Sequence, residues 1–189
     1  MEYCAKAVTA WLVRWDAIDS DDSELYEYAI YSILFTFSPL LFAIVVGFFL
    51  GRPKECMVII LPFLFIRKFS GGFHAKKAWI CFVCSSALLV LCTVISSCIK
   101  SGSILWMVTI AAMISLMLCS PIDSENRRLS EEEKKCCKIA TIIIVFFFGI
   151  LDFVLYLCQK ETYAVCISIG IILTAGLQIP CMLKKAGNK

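Results

Sequence analysis

Residues 139–158 read IATIIIVFFFGILDFVLYLC, a run of 20 residues in which Asp152 is the one charged side chain. At 1.5 Å per residue, a helix of that length is about 30 Å long and matches the hydrocarbon core of a bilayer. Upstream of the run, Ser130 is followed three residues later by Glu133, the pattern of a capping box. We therefore predict a helix that begins at Glu131, continues through Cys158 and crosses a membrane.

Other apolar runs repeat this pattern along the chain. Four of them are long enough, or nearly so, to cross a bilayer: Ala29–Leu50, Ala78–Ile99, Ile104–Cys119 and Tyr163–Leu183. A sixth run, Met57–Ile66, has only ten residues and contains Pro62. It is either extended by its flanking residues, 53–56 and 67–69, or re-entrant. The pattern predicts an all-α membrane protein, a bundle of six spans with one span short or re-entrant.

The composition supports this fold class. Of 189 residues, 60% are hydrophobic and 17% are charged, whereas soluble domains have about 45–50% apolar residues. One soluble core of this size could not bury so much apolar surface. We exclude an ordinary soluble enzyme, a disordered protein and a nucleic-acid-binding domain. Because no repeat, low-complexity tract or linker divides the chain, we predict one integral-membrane domain over residues 1–189.

The cysteines and the histidine limit the possible chemistry. Eight of the 12 cysteines lie in or at the ends of apolar runs, where cysteine is most often a small packing residue rather than part of a disulfide framework. A single histidine, His74, excludes a multi-histidine metal site. The pair Cys81 and Cys84 has CxxC spacing, but no second CxxC exists. We expect no metal and no cofactor.

Basic residues predict the orientation. With six spans, 14 of the 18 basic residues fall on one side, which the positive-inside rule assigns to the cytoplasm. If Met57–Ile66 does not cross, the split is unchanged and only the N-terminus and residues 51–56 change sides. The loop that holds His74, the loop that holds Asn126 and the C-terminus are cytoplasmic in both cases. We favour six spans.

Residues 1–28 form a separate N-terminal segment. An apolar stripe recurs at helical spacing and consists of Tyr3, Ala7, Val8, Trp11, Trp15 and Ile18. It predicts an amphipathic helix in the membrane interface, although a helix that packs on the bundle remains an alternative. An acidic linker, Asp16–Glu27, follows. Because this segment carries seven acids and lacks a basic start before an apolar region, we expect no cleaved leader.

The segment with candidate chemistry is RKFSGGFHAKKAWIC, residues 67–81. The start of a helix and the nearby basic residues both favour the thiolate form of Cys81, and His74 is the only imidazole base. On a straight helix the two residues lie about 10 Å apart along the axis, so a Cys–His pair requires the chain to bend at Gly71 and Gly72. A loop histidine beside an ordinary membrane cysteine is the alternative.

This segment resembles the signature of the accessory gene regulator B family, in which Gly-Gly and His-Ala precede the cysteine. The stretch PIDSENRRLS, residues 121–130, also resembles the polar loop of that family. The family consists of bacterial membrane-embedded cysteine endopeptidases that mature quorum-sensing pheromone precursors. The resemblance implies that Cys81 is the nucleophile and His74 the base, with no metal or cofactor.

The resemblance also implies a substrate, a location and an assembly. The substrate is a precursor peptide of the AgrD type, with an amphipathic leader, an internal cysteine or serine and an acidic tail. The tail is cleaved through an acyl-thioester, and the product cyclises to a thiolactone. The resemblance places a homodimer in the bacterial cell membrane, with the active site at the cytoplasmic face. The alternative function is a non-enzymatic membrane protein, such as a transporter or assembly factor.

Several other residues are weaker candidates. Basic side chains near the cytoplasmic face are expected to bind the acidic tail, and they are Arg67, Lys76, Lys77, Arg127 and Arg128. The alternative is that these residues are solvated and only determine the orientation of the protein in the membrane. Ser70 or Asp123 could orient His74, or each could be a solvated loop residue. Asp152 is the one acid inside a predicted span, which makes it a functional candidate, although water could reach it near the end of the helix.

Overall fold

The structure is a computed structural model that describes residues 2–15, 17–19, 22–71, 78–99, 101–121 and 130–180. Side chains are outside this description at residues 2, 32, 35–37, 39–40, 78–82 and 85. Regular structure in the described ranges is helical. The helices are α1 Glu2–Arg14, α2 Ser23–Phe49, α3 Pro53–Ser70, α4 Ala78–Cys98, α5 Ser103–Cys119, α6 Glu131–Leu157 and α7 Glu161–Gly176. The all-α prediction is therefore confirmed.

Two compact units make up the chain, Met1–Phe42 and Ala43–Lys189. In the first unit, α1 buries Ala5 and Thr9, and the Thr9 hydroxyl donates to the Ala5 carbonyl at 3.0 Å. The predicted apolar stripe is on the outside, since Trp11 is 57% exposed and Trp15 is 71% exposed. An exposed pair, Lys6 Nζ and Glu27 Oε1 at 3.9 Å, adds little stability.

The second unit is a bundle built around α7. Every residue from 164 to 171 is buried, and α7 contacts α3, α4, α5 and α6. A helix that is apolar on all sides is stable where it is surrounded by other helices. The core cluster draws on α3, α5, α6 and α7 and contains Ile66, Ala112, Leu116, Val145, Phe148, Ile167, Ile171 and Ala175.

The sixth apolar run lies inside one continuous helix, because Met57–Ile66 forms the middle of the 18-residue α3. The flanking residues therefore extend the run, which was one of the two alternatives that the sequence offered. Helix α3 is about 27 Å long. Pro62 sits within α3 and faces Gly170 of α7, where an added Cβ would lie 2.5 Å from the Pro62 Cγ and from the Ile59 carbonyl oxygen. Glycine thus lets α3 and α7 approach closely.

Contacts between named residues give the helix directions. Ile59 lies beside Gly170, and Ser70 lies beside Gln178, so α3 and α7 are parallel. Cys56 at the start of α3 is hydrogen-bonded to Thr93 near the end of α4 at 3.2 Å, so these two helices are antiparallel.

The same reasoning applies to α5 and α6. The ring of Trp106, at the start of α5, lies 6.0 Å from that of Phe153 and 5.6 Å from that of Tyr156, near the end of α6. These helices are antiparallel. The ends of α3, α5 and α7 and the starts of α4 and α6 therefore lie at one end of the bundle.

The helix boundaries agree with most of the sequence-based predictions. The capping box before α6 is present, since the Glu133 amide donates to the Ser130 hydroxyl at 3.3 Å and the Ser130 amide donates to Glu133 Oε2 at 2.8 Å. One boundary was predicted wrongly. Helix α2 begins at Ser23, inside the expected acidic linker, with Glu24 in its first turn, where a negative charge suits the helix dipole. Helix α7 ends at Gly176, a turn at residues 177–178 follows, and residues 179–180 are helical again; the end of the predicted run at Leu183 lies outside the described residues.

Helix α6 has a long apolar surface that faces outward. Among the residues that the structure describes, Glu131–Leu157 is the one helix that is long and apolar enough to cross a membrane by length and composition. Most of its large apolar side chains face away from the bundle: Ile143, Phe146, Phe147 and Ile150 are each more than half exposed. The six-span count remains a prediction.

Candidate active site

Three helix ends meet around one glutamine. Gln178 lies in the turn that follows α7 and is 1% exposed. Its Nε2 donates to the Ser120 hydroxyl at 3.0 Å and to the Ser70 carbonyl at 3.4 Å. Since Ser70 ends α3 and Ser120 directly follows α5, the segments that follow α3, α5 and α7 leave the bundle from neighbouring points.

The predicted site residues are distributed over these segments. His74, Lys76 and Lys77 follow α3, and Arg127 and Arg128 follow α5. All five lie outside the described residues. The structure therefore gives the points from which their segments depart, and the Cys–His pairing itself stays a prediction.

Cys81 is placed by its backbone. It is the fourth residue of α4, which begins at Ala78, so it occupies the first turn, as the sequence predicted. The backbone amides of a first turn carry partial positive charge. His74 is four residues from Ser70 and four from Ala78, so chain length alone keeps its Cα within about 15 Å of each.

The histidine segment begins with a left-handed glycine. Gly71 follows α3 with φ 71° and ψ −163°, and its amide donates to the Arg67 carbonyl at 3.2 Å. A side chain at that φ would be strained. The chain therefore turns away from the axis of α3 directly before Gly72 and His74, as the double glycine suggested.

Arg67 is the predicted tail-binding residue whose side chain is described. It lies in the last turn of α3, half-buried, with its guanidinium carbon 5.3 Å from the centre of the Phe63 ring. A cation there suits both the aromatic face and the carbonyl end of the helix. Arg67 thus brings positive charge to the end of the bundle from which the histidine segment leaves.

Ser70 is not a solvated loop residue. It is fully buried as the last residue of α3, and its hydroxyl donates to the Gly71 carbonyl at 3.2 Å. Its carbonyl accepts from Gln178. Ser70 therefore belongs to the packed end of α3, four residues before His74 in the sequence. Asp123, the other orienting candidate, lies outside the described residues.

Asp152 does not join this group. It is 1% exposed, so water does not reach it as the sequence allowed. Its Oδ2 accepts from the Ser168 hydroxyl of α7 at 2.7 Å, and Oδ1 has no hydrogen-bond partner in the described structure. Ser168 precedes Gln178 by ten residues, or about 15 Å along a helix axis. Asp152 therefore sits deep between α6 and α7.

Gln178 is the residue that sequence reasoning missed. A glutamine at the end of an apolar run reads as an interfacial residue, and nothing in its local pattern marks it as buried. The signal that could have found it is its place at the end of a helix parallel to α3, which requires the tertiary packing. In the described ranges, no three His, Cys, Asp or Glu side chains form a group that could hold a metal ion.

Comparison with known proteins points to one family. The family model described as Accessory gene regulator B matches residues 5–180, a range that includes every candidate site residue named above. A relative from Clostridium perfringens (strain 13 / Type A), described as AgrB-like protein 1, is 28% identical over 88 residues. That match covers 47% of this chain and 46% of the relative, about half the length of each. No solved structure matches the chain.

Proposed function

The chain belongs to the accessory gene regulator B family, and from that membership we propose that it is a membrane-embedded cysteine endopeptidase. Its substrate is a pheromone precursor peptide of the AgrD type, and its product is a cyclic thiolactone. The observation that supports the proposal is that the ends of α3, α5 and α7 meet at Gln178, and that α3 is the helix directly before His74 in the sequence. The basic residues that would hold the substrate's acidic tail follow α3 and α5 in the sequence, or, for Arg67, lie in the last turn of α3.

A membrane location is supported by the surface of the protein. Outward-facing apolar side chains on α6 and on α1 suit a lipid environment. Since α3 runs parallel to α7 and is at least as long, with 18 residues against 16, we propose that α3 crosses with it, which gives six spans. The basic residues then place both termini and the His74 segment in the cytoplasm.

The proposed chemistry begins with acyl transfer to sulfur. His74 takes the proton of the Cys81 thiol, and the thiolate attacks the carbonyl carbon of the peptide bond that precedes the acidic tail. The carbon–nitrogen bond breaks, and His74 returns the proton to the leaving amine. The tail departs, and the rest of the precursor remains attached to Cys81 as a thioester.

Cyclisation follows without an energy source. A cysteine within the bound precursor attacks the thioester carbonyl, a second thioester forms as a ring, and the Cys81 thiol is restored. Exchange of one thioester for another is nearly isoenergetic. The step must outrun hydrolysis, and a tethered thiol has a very high effective concentration. Trp79, two residues before Cys81, and Phe82, directly after it, suit a site that limits water.

The remaining partners follow from the same proposal. Arg67, Lys76, Lys77, Arg127 and Arg128 bind the acidic tail by charge attraction, which is effective over about 8 Å at physiological ionic strength. The precursor's amphipathic leader lies in the lipid interface. The active form is a homodimer, and the peptidase domain extends over residues 1–189.

Trapping the thioester tests this function. In membranes that contain the full-length chain, a precursor whose internal cysteine is changed to alanine cannot cyclise and should accumulate on Cys81. Hydroxylamine should release the adduct, and the Cys81→Ala protein should not form it. Cleavage of that precursor at the normal rate to a linear peptide, without an adduct, would show a plain hydrolase. A transporter or assembly factor would leave the precursor intact.

A further inference from the structure

A groove between α1 and the start of α2 carries both signs of charge. It lies within the first unit and has a volume of about 390 Å³, which is in the range of small-molecule sites. Every residue that lines it belongs to α1 or to the first five residues of α2. Two basic side chains, an acid, a hydroxyl and two apolar side chains are among them: Lys6, Arg14, Glu27, Ser23, Ala10 and Val13.

The charges in this groove are weakly engaged with one another. Lys6 Nζ lies 3.9 Å from Glu27 Oε1, a long distance for an ion pair, and the Lys6 side chain is 67% exposed. Such a contact contributes little stability, so a charged group that enters the groove can share or replace it. Arg14 is exposed and forms no ion pair with the residues that the structure describes. Its guanidinium is therefore available to a ligand.

The surrounding charge favours a ligand that has both signs. Residues 1–28 carry seven acidic and two basic side chains, so a purely anionic ligand would meet repulsion as well as attraction. A phosphate suits Arg14, because a guanidinium binds phosphate oxygens with two parallel N–H groups. An ammonium group suits Glu27, which then has a second cation beside it. A ligand with both groups complements the groove from end to end.

The outward face of α1 indicates that this ligand is a lipid. The exposed rings of Trp11 and Trp15 lie 6.0 Å apart, and Tyr3 is 90% exposed. Tryptophan and tyrosine are favoured at the level of the lipid headgroups, and the apolar face of an interfacial helix lies at the boundary with the acyl chains. Arg14 is three residues after Trp11 and is its neighbour on the helix surface, so the groove borders this aromatic face.

We propose that the groove binds the headgroup of a zwitterionic aminophospholipid, of which phosphatidylethanolamine is the simplest example. The phosphate accepts from Arg14 and from the Ser23 hydroxyl at the start of α2, where the helix dipole also favours an anion. The ammonium donates to Glu27, and the acyl chains extend along the aromatic face of α1. The inference uses residues of the first unit alone and does not depend on the peptidase proposal.

The test is a competition between lipids. Full-length protein in detergent micelles is mixed with equal amounts of phosphatidylethanolamine and phosphatidylglycerol, and native mass spectrometry measures the lipid that the protein retains. The unaltered protein should retain the ethanolamine lipid in about fivefold preference, the upper range for one exposed charge contact. Phosphatidylcholine should also be retained less than phosphatidylethanolamine, because its quaternary ammonium has no N–H to donate to Glu27.

Three variants assign the two halves of the headgroup. Glu27→Gln should abolish the preference, so that the two lipids are retained equally. Glu27→Lys should reverse it, because the new cation repels the ammonium and attracts the phosphate of phosphatidylglycerol. Arg14→Gln should lower the retention of both lipids by about fivefold, since both contain the phosphate that Arg14 binds.

Lys160 and Glu161 supply matched controls. They are an exposed basic residue and an exposed acidic residue at the start of α7, in the second unit. Lys160→Gln and Glu161→Gln change the same charges as Arg14→Gln and Glu27→Gln. Both controls should leave the preference between the lipids and the total retention unchanged.

Three results would overturn the inference. Equal retention of the two lipids by the unaltered protein would indicate nonspecific contact with lipid only. A preference of the unaltered protein for phosphatidylglycerol would indicate an anion site in which Glu27 has no part. A preference for phosphatidylethanolamine that persists in Glu27→Lys, or that Glu161→Gln also abolishes, would place the lipid elsewhere on the protein.

Discussion

Gln178 donates from Nε2 to the hydroxyl of Ser120, 58 residues earlier in the chain, at 3.0 Å. Ser120 directly follows α5 and Gln178 comes two residues after the end of α7, and these two helices end at the same end of the bundle. A second bond from the same amide reaches the Ser70 carbonyl. This junction explains how segments far apart in sequence, one with the candidate histidine and one with a basic pair, depart from a common base.

The close approach of α3 and α7 predicts the effect of adding one methyl group. In Gly170→Ala the new Cβ would lie 2.5 Å from the Ile59 carbonyl oxygen, and backbone must move to admit it. We expect a loss of about 1–3 kcal/mol of stability, measured as a lower midpoint of thermal unfolding in detergent. Gly176→Ala is the control, since open space surrounds that position. Equal midpoints for the two variants would refute the packing described for α7.

The buried hydrogen bond between Ser168 and Asp152 predicts that removing the Ser168 hydroxyl destabilises the protein. Ser168→Ala removes the hydroxyl that donates to Asp152 Oδ2 and leaves both carboxyl oxygens without a donor among the described side chains. The cost of an unsatisfied buried group is about 1–3 kcal/mol, and thermal unfolding should show it.

The double variant Ser168→Ala with Asp152→Leu is the control for that measurement. It removes both polar partners and should recover most of the loss, because an apolar pair needs no donor. If Ser168→Ala alone is harmless, Asp152 has another partner.

Topology is tested by single cysteines on a background in which the native exposed cysteines are replaced. A reagent that cannot cross membranes should label a cysteine at Ser101 in intact cells and should not label one at Ser124 or Asn188. Protection of a cysteine at Asp19 would agree with a crossing α3. Labelling at Asp19 would mean that α3 returns to the side on which it started, and six spans would be wrong.

Recognition of the acidic tail predicts a dependence on salt. Neutralising Lys76 and Lys77, or Arg127 and Arg128, should raise KM more than it lowers kcat. The lost charges bind the substrate equally in the ground state and the transition state, so the chemical step itself is unchanged. Added salt should weaken binding to the unaltered protein and have less effect on the variants. Binding that ignores salt would place the affinity in the precursor's leader instead.

The long apolar runs in the sequence predicted most of the helices, and local signals such as capping residues predicted some of their boundaries. The Ser130–Glu133 capping box correctly predicted the start of α6. Helix α2 began early because Ser23 and Glu24 form an acceptable first turn, and an acidic composition alone does not distinguish a linker from a helix start.

The burial of each helix could not be read from the same pattern. Ile143 and Ile167 are the same residue type in equally apolar helices, yet they are 62% and 2% exposed. When both the interior of the bundle and its surroundings favour apolar side chains, buried and outward-facing positions carry the same residue types. Sequence periodicity then does not distinguish them. The central place of α7 and the burial of Gln178 therefore emerge only from the packing of several helices.

The most direct test of the central claim is precursor cleavage by variants of the candidate pair, in membranes where insertion of each variant is verified. Cys81→Ala and His74→Ala should each lower the rate of tail release by several orders of magnitude, as expected when a nucleophile or base is lost. Cys84→Ala and Cys92→Ala, which change the neighbouring cysteines of α4, should retain most activity. Substantial tail release by the Cys81→Ala protein would contradict the account.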